Sequence, residues 1–525
     1  MEDRLEKKNS VFKEVVAERK NIALCIVIFM IIHGEMLFNK ISWHDDIATL
    51  DGWPDSLGHG RFTYTIIYGV ANKIAGLESL PVIKGAVGAL FIVLIAYIII
   101  YLFKIRNAVG RYGVLLICMS IPAITGNLGY IGTFSANMFG AFLAVLAAYY
   151  TITSGKKINL LFAAFLLGFA IGEYQCNLTF FLTILFCWFL KYLSELKTEN
   201  KDIFKTIIRF FFVAVAGLII YLVVLQIFLK TYDLTLTTYA NTDTYGITNL
   251  QGYLERIKYA YSDFLNPVQT YWCMFPFHWG GWHKILLSLL LFGICLILII
   301  LICHKRIISA IFTLVCTCFI PMIFNFNFIL YDIGPVHSLH QYHYVMLPIL
   351  VIVLFNSVFY EVSISKFTSA GYIVQICKKA NIIIVFFVLL LGCAYVRYDN
   401  ICYMQAEMAQ EQAISYFTAL VSNIYNTDGY YSDISVCYVN SDDKMLSSSH
   451  LISVSDTTLV NPYRFDPTST YTWKSYLYEW CNYEPAREVS YDDLSEETRQ
   501  IIDEMPNYPD KGSIMVINDV LVVKF

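Results

Sequence analysis

The sequence predicts an all-α polytopic membrane protein of about eleven transmembrane helices, followed by a small α/β or α+β domain. Three observations carry that prediction. Of the 525 residues, 57% are hydrophobic and only 15% charged, against about 25% charge in soluble globular chains. Helices in a bilayer absorb that much apolar surface, which water cannot. Apolar runs of spanning length recur through residues 22–398, and from residue 399 the composition turns polar and acidic.

The runs lie at 22–38, 82–103, 112–124, 131–152, 159–172, 177–192, 206–229, 285–303, 307–325, 343–360 and 380–398. Those at 112–124 and 159–172 fall short of the about 17 to 25 residues a span needs, but each extends toward a polar motif holding Gly or Asn. Residues 1–21 form a charged amphipathic stretch. No small-residue cleavage site follows the first run, so the stretch reads as a retained cytoplasmic segment. Lys and Arg collect on the cytoplasmic side of membrane proteins. With the N-terminus inside, cytoplasmic segments hold 21 of the 37 Lys and Arg residues and the outer loops hold 8. Eleven spans then place residues 399–525 outside a multi-pass cell-membrane protein.

That tail carries 20 of the 41 acidic residues. Apolar residues alternate on both sides of Asn518-Asp519, which predicts two strands joined by a tight turn. Of the 14 cysteines, only Cys402, Cys437 and Cys481 lie in the tail, so at most one bridge forms there. The net charge of −4 and the lack of a basic stripe exclude a general nucleic-acid binder. No phosphate-cradling Gly-rich loop occurs on the cytoplasmic side, which disfavours a nucleotide-driven reaction there.

The chemistry-bearing residues gather at the outer ends. The first outer loop, 39–81, carries His44, Asp45 and Asp46 next to Trp43, just beyond the first run. A carboxylate held near a low-dielectric boundary gains the basicity of a general base; an Asp-Asp pair in a loop is equally a solvated turn or helix cap. Gly60-Arg61-Phe62 follows, leading into an amphipathic stretch, Thr63 to Leu77, suited to the membrane interface. The guanidinium fork of Arg61 suits phosphate, and the same residue also fits an arginine snorkelling to the interface. Further on, Gly172-Glu173-Tyr174-Gln175-Cys176-Asn177 interrupts two apolar runs at membrane depth, where polar groups tend to be functional. The bland alternative is a hairpin satisfying its own backbone. Thr125-Gly126-Asn127, with Ser135 and Asn137 beyond, reads as helix packing. Asp332, His337, His340 and His343 form an outer cluster whose spacing admits a divalent metal without indicating one, since no HExxH pattern is present. The long outer loop, 230–284, holds Tyr271, Trp272, Phe275, Trp279 and Trp282: stacking platforms for a sugar, or an interfacial belt.

The order of these motifs resembles the GtrII-type glucosyltransferases of the GT-C class: a first span, an Asp-Asp loop, Gly-Arg-Phe before an amphipathic helix, then a Glu-Tyr-Gln hairpin. The likeness covers about residues 20–400, a GT-C-like domain at 22–398. It implies transfer of a hexosyl unit, typically glucose, from a polyprenyl-phosphate donor to a cell-envelope glycan on the outer face, with no nucleotide at the site. The family's catalytic base maps onto Asp45 or Asp46. Arg61 and Lys84 are the expected donor-phosphate cations, and His44, Glu173, Tyr174, Gln175 and Trp279 the expected substrate contacts. No cofactor is required, the expected partners are lipid-linked sugar, glycan and bilayer, and the expected stereochemistry is inversion.

Three other classes remain open from the sequence. A lipid-linked oligosaccharide flippase needs charged residues deep within several helices, whereas the charges here collect at outer ends. A glycan polymerase or ligase shares the donor chemistry, and a non-enzymatic scaffold would use the tail as its binding module.

Overall fold

A computed structural model describes residues 18–39, 41, 56–75, 80–238, 247–267, 281–330, 338–364, 370–440 and 473–525. Among them, nine helices are long and apolar enough to cross a membrane: Pro81–Leu102, Ala108–Leu128, Ile131–Thr153, Asn177–Ser194, Asn200–Thr231, Gly281–Cys303, Ile307–Phe324, Tyr342–Tyr360 and Ile382–Tyr425. The other two expected spans are also helical, but shorter. Arg19–Ile32 is followed after His33 by Gly34–Phe38, and Lys157–Glu173 has 17 residues. The short run at 112–124 gains its length from the polar motif beyond it. Ile121 is extended, and Pro122 opens a second helical piece, Pro122–Leu128, as a proline at the first helical position can. This piece carries Thr125 and Asn127 into the protein, both fully buried.

The chain divides into two compact units, the first formed mainly by residues up to Asn400 and the second mainly by residues from Ile401 onward, with Asn39 and Ile41 grouped in the second. In the first, Lys157–Glu173 packs against Ile131–Thr153 and Asn200–Thr231, and Pro81–Leu102 packs on Ile131–Thr153. The large exposed apolar side chains of Asn200–Thr231, among them Ile208, Phe211, Ile219 and Val223, are what a lipid-facing helix presents. The amphipathic stretch after Arg61 is the helix Phe62–Ala75. It buries Phe62, Thr63 and Tyr64 and exposes Ile66, Val70 and Ile74, which at i, i+4 and i+8 share one face. A further helix, Leu250–Leu265, occupies part of the long loop expected at 230–284.

The second unit contains a four-stranded sheet of β1 (Ser435–Val439), β2 (Arg487–Glu488), β3 (Ile514–Ile517) and β4 (Val520–Lys524), in the order β2-β1-β4-β3. β1 runs parallel to β2 and β4, while β3 and β4 form the expected antiparallel hairpin. Asn518 and Asp519 have φ of 47° and 58°, the left-handed pair that a two-residue hairpin turn requires. Phe417, Trp473, Tyr476 and Phe525 form the buried core. Lys524 Nζ donates to the carbonyls of Ile502, Asp503 and Met505 at 2.9, 2.9 and 2.7 Å, closing the end of the helix Glu496–Glu504. Cys402, Cys437 and Cys481 are free thiols, and burial pushes the Cys437 thiol up to about 11.

Candidate active site

Two of the sequence motifs dock onto each other. Leu57–His59 forms a single tight turn that ends at Gly60, whose φ of 78° is the left-handed conformation glycine adopts without strain. A side chain at Gly60 would also lie 2.9 Å from Gln175 Nε2 and 2.7 Å from the Tyr221 hydroxyl. Gln175 instead donates to the His59 carbonyl at 2.7 Å, tying the loop before Phe62–Ala75 to the hairpin after Lys157–Glu173. On the other side of Arg61, the Phe62 ring fills the space of an absent Cβ at Gly172, which would sit 2.4 Å from two ring carbons. Phe62 also packs edge-on against Phe169 and stacks with Tyr221 and Phe228. Thr63 Oγ1 donates to the Phe169 carbonyl at 2.8 Å.

Between those anchors, the Arg61 guanidinium lies over the Tyr174 ring, 4.0 Å from its centroid. Stacking of this kind holds a guanidinium in one plane. Glu173 is 1% exposed and interacts electrostatically with Arg61. Its Oε2 accepts from Asn177 Nδ2 at 3.1 Å, while Oε1 has no hydrogen-bond partner among the described residues. The carboxylate lies against bare backbone at Gly140, where a Cβ would fall 2.0 Å from Oε2. Lys84 is engaged on a different element: its Nζ donates to the Gly132 carbonyl at 2.6 Å, in the first turn of Ile131–Thr153.

A cavity of about 20 Å³ adjoins Tyr174, room for one water molecule. Asn127, Asn137, Asn177, His340 and His343 supply most of its polar lining. Asn137 Nδ2 donates to Asn127 Oδ1 at 3.2 Å, and the Tyr174 hydroxyl pairs with His340 Nε2 at 2.7 Å. Sequence reasoning assigned Asn127 and Asn137 to packing and His340 to a possible metal cluster. The two imidazoles take different partners. His343 Nε2 and Nδ1 face the carbonyls of Phe324 and His340, at 2.7 and 3.1 Å. Among the described residues, no group of three or more His, Cys, Asp or Glu side chains is gathered as a metal site.

Of the residues singled out in the sequence, Arg61, Glu173, Tyr174 and Gln175 are therefore brought together, while Lys84 bonds to the Gly132 carbonyl. His44, Asp45, Asp46, Trp279, Asp332 and His337 lie outside the described residues, as do Tyr271, Trp272 and Phe275. Trp282 is described, with its ring 5.4 Å from that of Phe387.

No curated protein and no solved structure matches the chain significantly. The family model described as "Glucosyl transferase GtrII" matches residues 34–355, which include Gly60-Arg61-Phe62, the Glu173-Tyr174-Gln175 hairpin and His340. That match covers more than half of the chain, which therefore belongs to the GtrII glucosyl transferase family of membrane glucosyltransferases.

Proposed function

We propose that the protein transfers glucose from a polyprenyl-phosphate donor to a cell-envelope glycan at the outer face of the membrane, inverting the anomeric centre. The observation that carries this reading is the docking of Gly60-Arg61-Phe62 onto the Glu173-Tyr174-Gln175 hairpin, which holds a guanidinium fork on the Tyr174 ring, itself part of the lining of a water-sized cavity. The odd number of spans and the distribution of Lys and Arg support a cytoplasmic N-terminus and an extracytoplasmic C-terminal unit.

In this reading, the hydroxyl of the acceptor attacks C1 of the glucose and gives its proton to Asp45 or Asp46. The C1–O bond to phosphate breaks on the opposite face, and its electron pair leaves with the lipid phosphate. Arg61 stabilises the charge that develops there, the largest contribution expected of fixed residues at such a site. Lys84 is a second cation for the lipid phosphate. His44, Glu173, Tyr174, Gln175 and Trp279 orient the sugar.

The test is to incubate purified protein with polyprenyl-phosphate glucose and candidate glycan acceptors, comparing wild type with Asp45→Asn and Asp46→Asn. Loss of about 10² to 10⁴ in rate in one variant is expected of a general base. Full transfer by both variants removes the base assignment, and NMR showing a retained anomeric configuration removes inversion.

A further inference from the structure

His340 stands 166 residues beyond Tyr174 in the chain, yet its imidazole meets the Tyr174 hydroxyl at 2.7 Å, with the rings 5.0 Å apart. Tyr174 is 6% exposed, and the one ring carries Arg61 on its face and His340 at its tip. The backbone that carries the imidazole is itself held by side chains. The His340 carbonyl accepts from Asn327 Nδ2 at 2.7 Å, and Asn327 Oδ1 in turn accepts from Thr179 on the helix Asn177–Ser194. His340 and Tyr174 both line the carboxamide cavity.

We propose that His340 is a positioning residue for the transfer: by fixing the Tyr174 phenol, it fixes the plane on which the Arg61 guanidinium rests. The proposal builds on the reading of Arg61 as the donor-phosphate cation. A polyprenyl-phosphate glucose is a phosphodiester with one negative charge. As the acceptor oxygen bonds to C1 and the C1–O bond breaks, the phosphate becomes a monoester and gains a second charge, while the acceptor's proton passes to the loop aspartate. The interaction with Arg61 is therefore stronger in the transition state than in the bound substrate. A guanidinium already oriented when that charge appears raises kcat more than it lowers KM. An arginine side chain released from its aromatic plane has several rotamers available, and loss of orientation in the reacting complex costs up to about 10²-fold.

The experiment measures kcat and donor KM for wild type, His340→Asn, His340→Gln, Tyr174→Phe and the double variant His340→Asn with Tyr174→Phe, each checked for folding by its melting temperature in detergent. The glutamine amide nitrogen falls where Nε2 lies and keeps the bond to the phenol; the asparagine amide is too short to reach it. His340→Asn is expected to lower kcat about 10-fold to 100-fold with donor KM within about threefold, while His340→Gln stays within about fivefold of wild type. The double variant is expected to be no slower than the worse single, because both remove the same bond. Wild-type kcat in a folded His340→Asn, equal losses in Gln and Asn, or additive losses in the double variant each overturn the proposal. If Arg61→Ala is inactive while His340→Asn is normal, only this inference fails. If wild type transfers from no polyprenyl-phosphate hexose, the functional reading falls and this inference with it.

Discussion

The Phe62 ring occupies the space in which Gly172 has no Cβ, and that contact brings the Gly60-Arg61-Phe62 segment against the hairpin of a helix more than one hundred residues later. Arg61 reaches Tyr174 because its neighbour in sequence is anchored there. A steric fit at Phe62 and a hydrogen bond from Gln175 to the His59 carbonyl flank the cation on either side.

Gly172→Ala is accordingly expected to displace Phe62. Overpacking a filled space costs about 1 to 3 kcal/mol, and the displaced ring would take Arg61 with it. Transfer should fall at least about tenfold, and Phe62→Leu in the same chain should recover part of the loss by making room for the new methyl. Equal activity of Gly172→Ala and wild type would show that the docking does not position the cation.

Gly140→Ala should act through Glu173. Its methyl would lie 2.0 Å from the carboxylate oxygen, so the carboxylate must leave its bond to Asn177. Gly140→Ala and Glu173→Gln are expected to give similar losses of transfer, and combining them should add little. Strict additivity of the two losses would separate Glu173 from that position.

The first unit also holds an ion pair between Glu18 and Arg111 at 2.8 Å. The hydrogen bond from Arg111 holds the Glu18 carboxyl below its ordinary value. A pKa lowered by folding contributes stability above the unfolded value of about 4.3 and loses it as pH falls through the folded value. Both side chains are partly solvated, so the contribution is below about 1 kcal/mol. Melting in detergent should show Arg111→Ala slightly less stable than wild type at pH 7 and indistinguishable from it near pH 3. A difference that persists at pH 3 would place the effect outside the ion pair.

Orientation can be read from the second unit. Cys481 is half-buried, whereas Cys402 and Cys437 are fully buried. A variant retaining Cys481 as its only cysteine should react with a membrane-impermeant maleimide in intact cells at mildly alkaline pH. Labelling only after the membrane is permeabilised would put the C-terminal unit in the cytoplasm.

The spans and the terminal hairpin were legible because each rests on a local pattern: runs of apolar residues, and alternation about Asn518-Asp519. The two polar motifs were legible as well, since Arg61 and Glu173 interrupt or border apolar sequence where charge is costly. Their pairing was not, because nothing in Gly60-Arg61-Phe62 names Gly172 or Tyr174 as its partner. Histidine spacing alone does not give the partners of these imidazoles. Three residues apart on one helix, His340 and His343 would share a face, but they fall in separate short turns, Ser338–His340 and Tyr342–Val345. One meets Tyr174 and the other faces two carbonyls. Asn127 and Asn137 looked like packing residues because their type is common in helix contacts; only their convergence on the cavity distinguishes them.

The central claim is that Arg61, held on Tyr174, carries the charge of the departing lipid phosphate. The most direct measurement is the kcat of purified Arg61→Ala with polyprenyl-phosphate glucose in liposomes, beside folded wild type. A fall of about 10²-fold or more is expected of a lost cation at a developing anion. Transfer within twofold of wild type would contradict it.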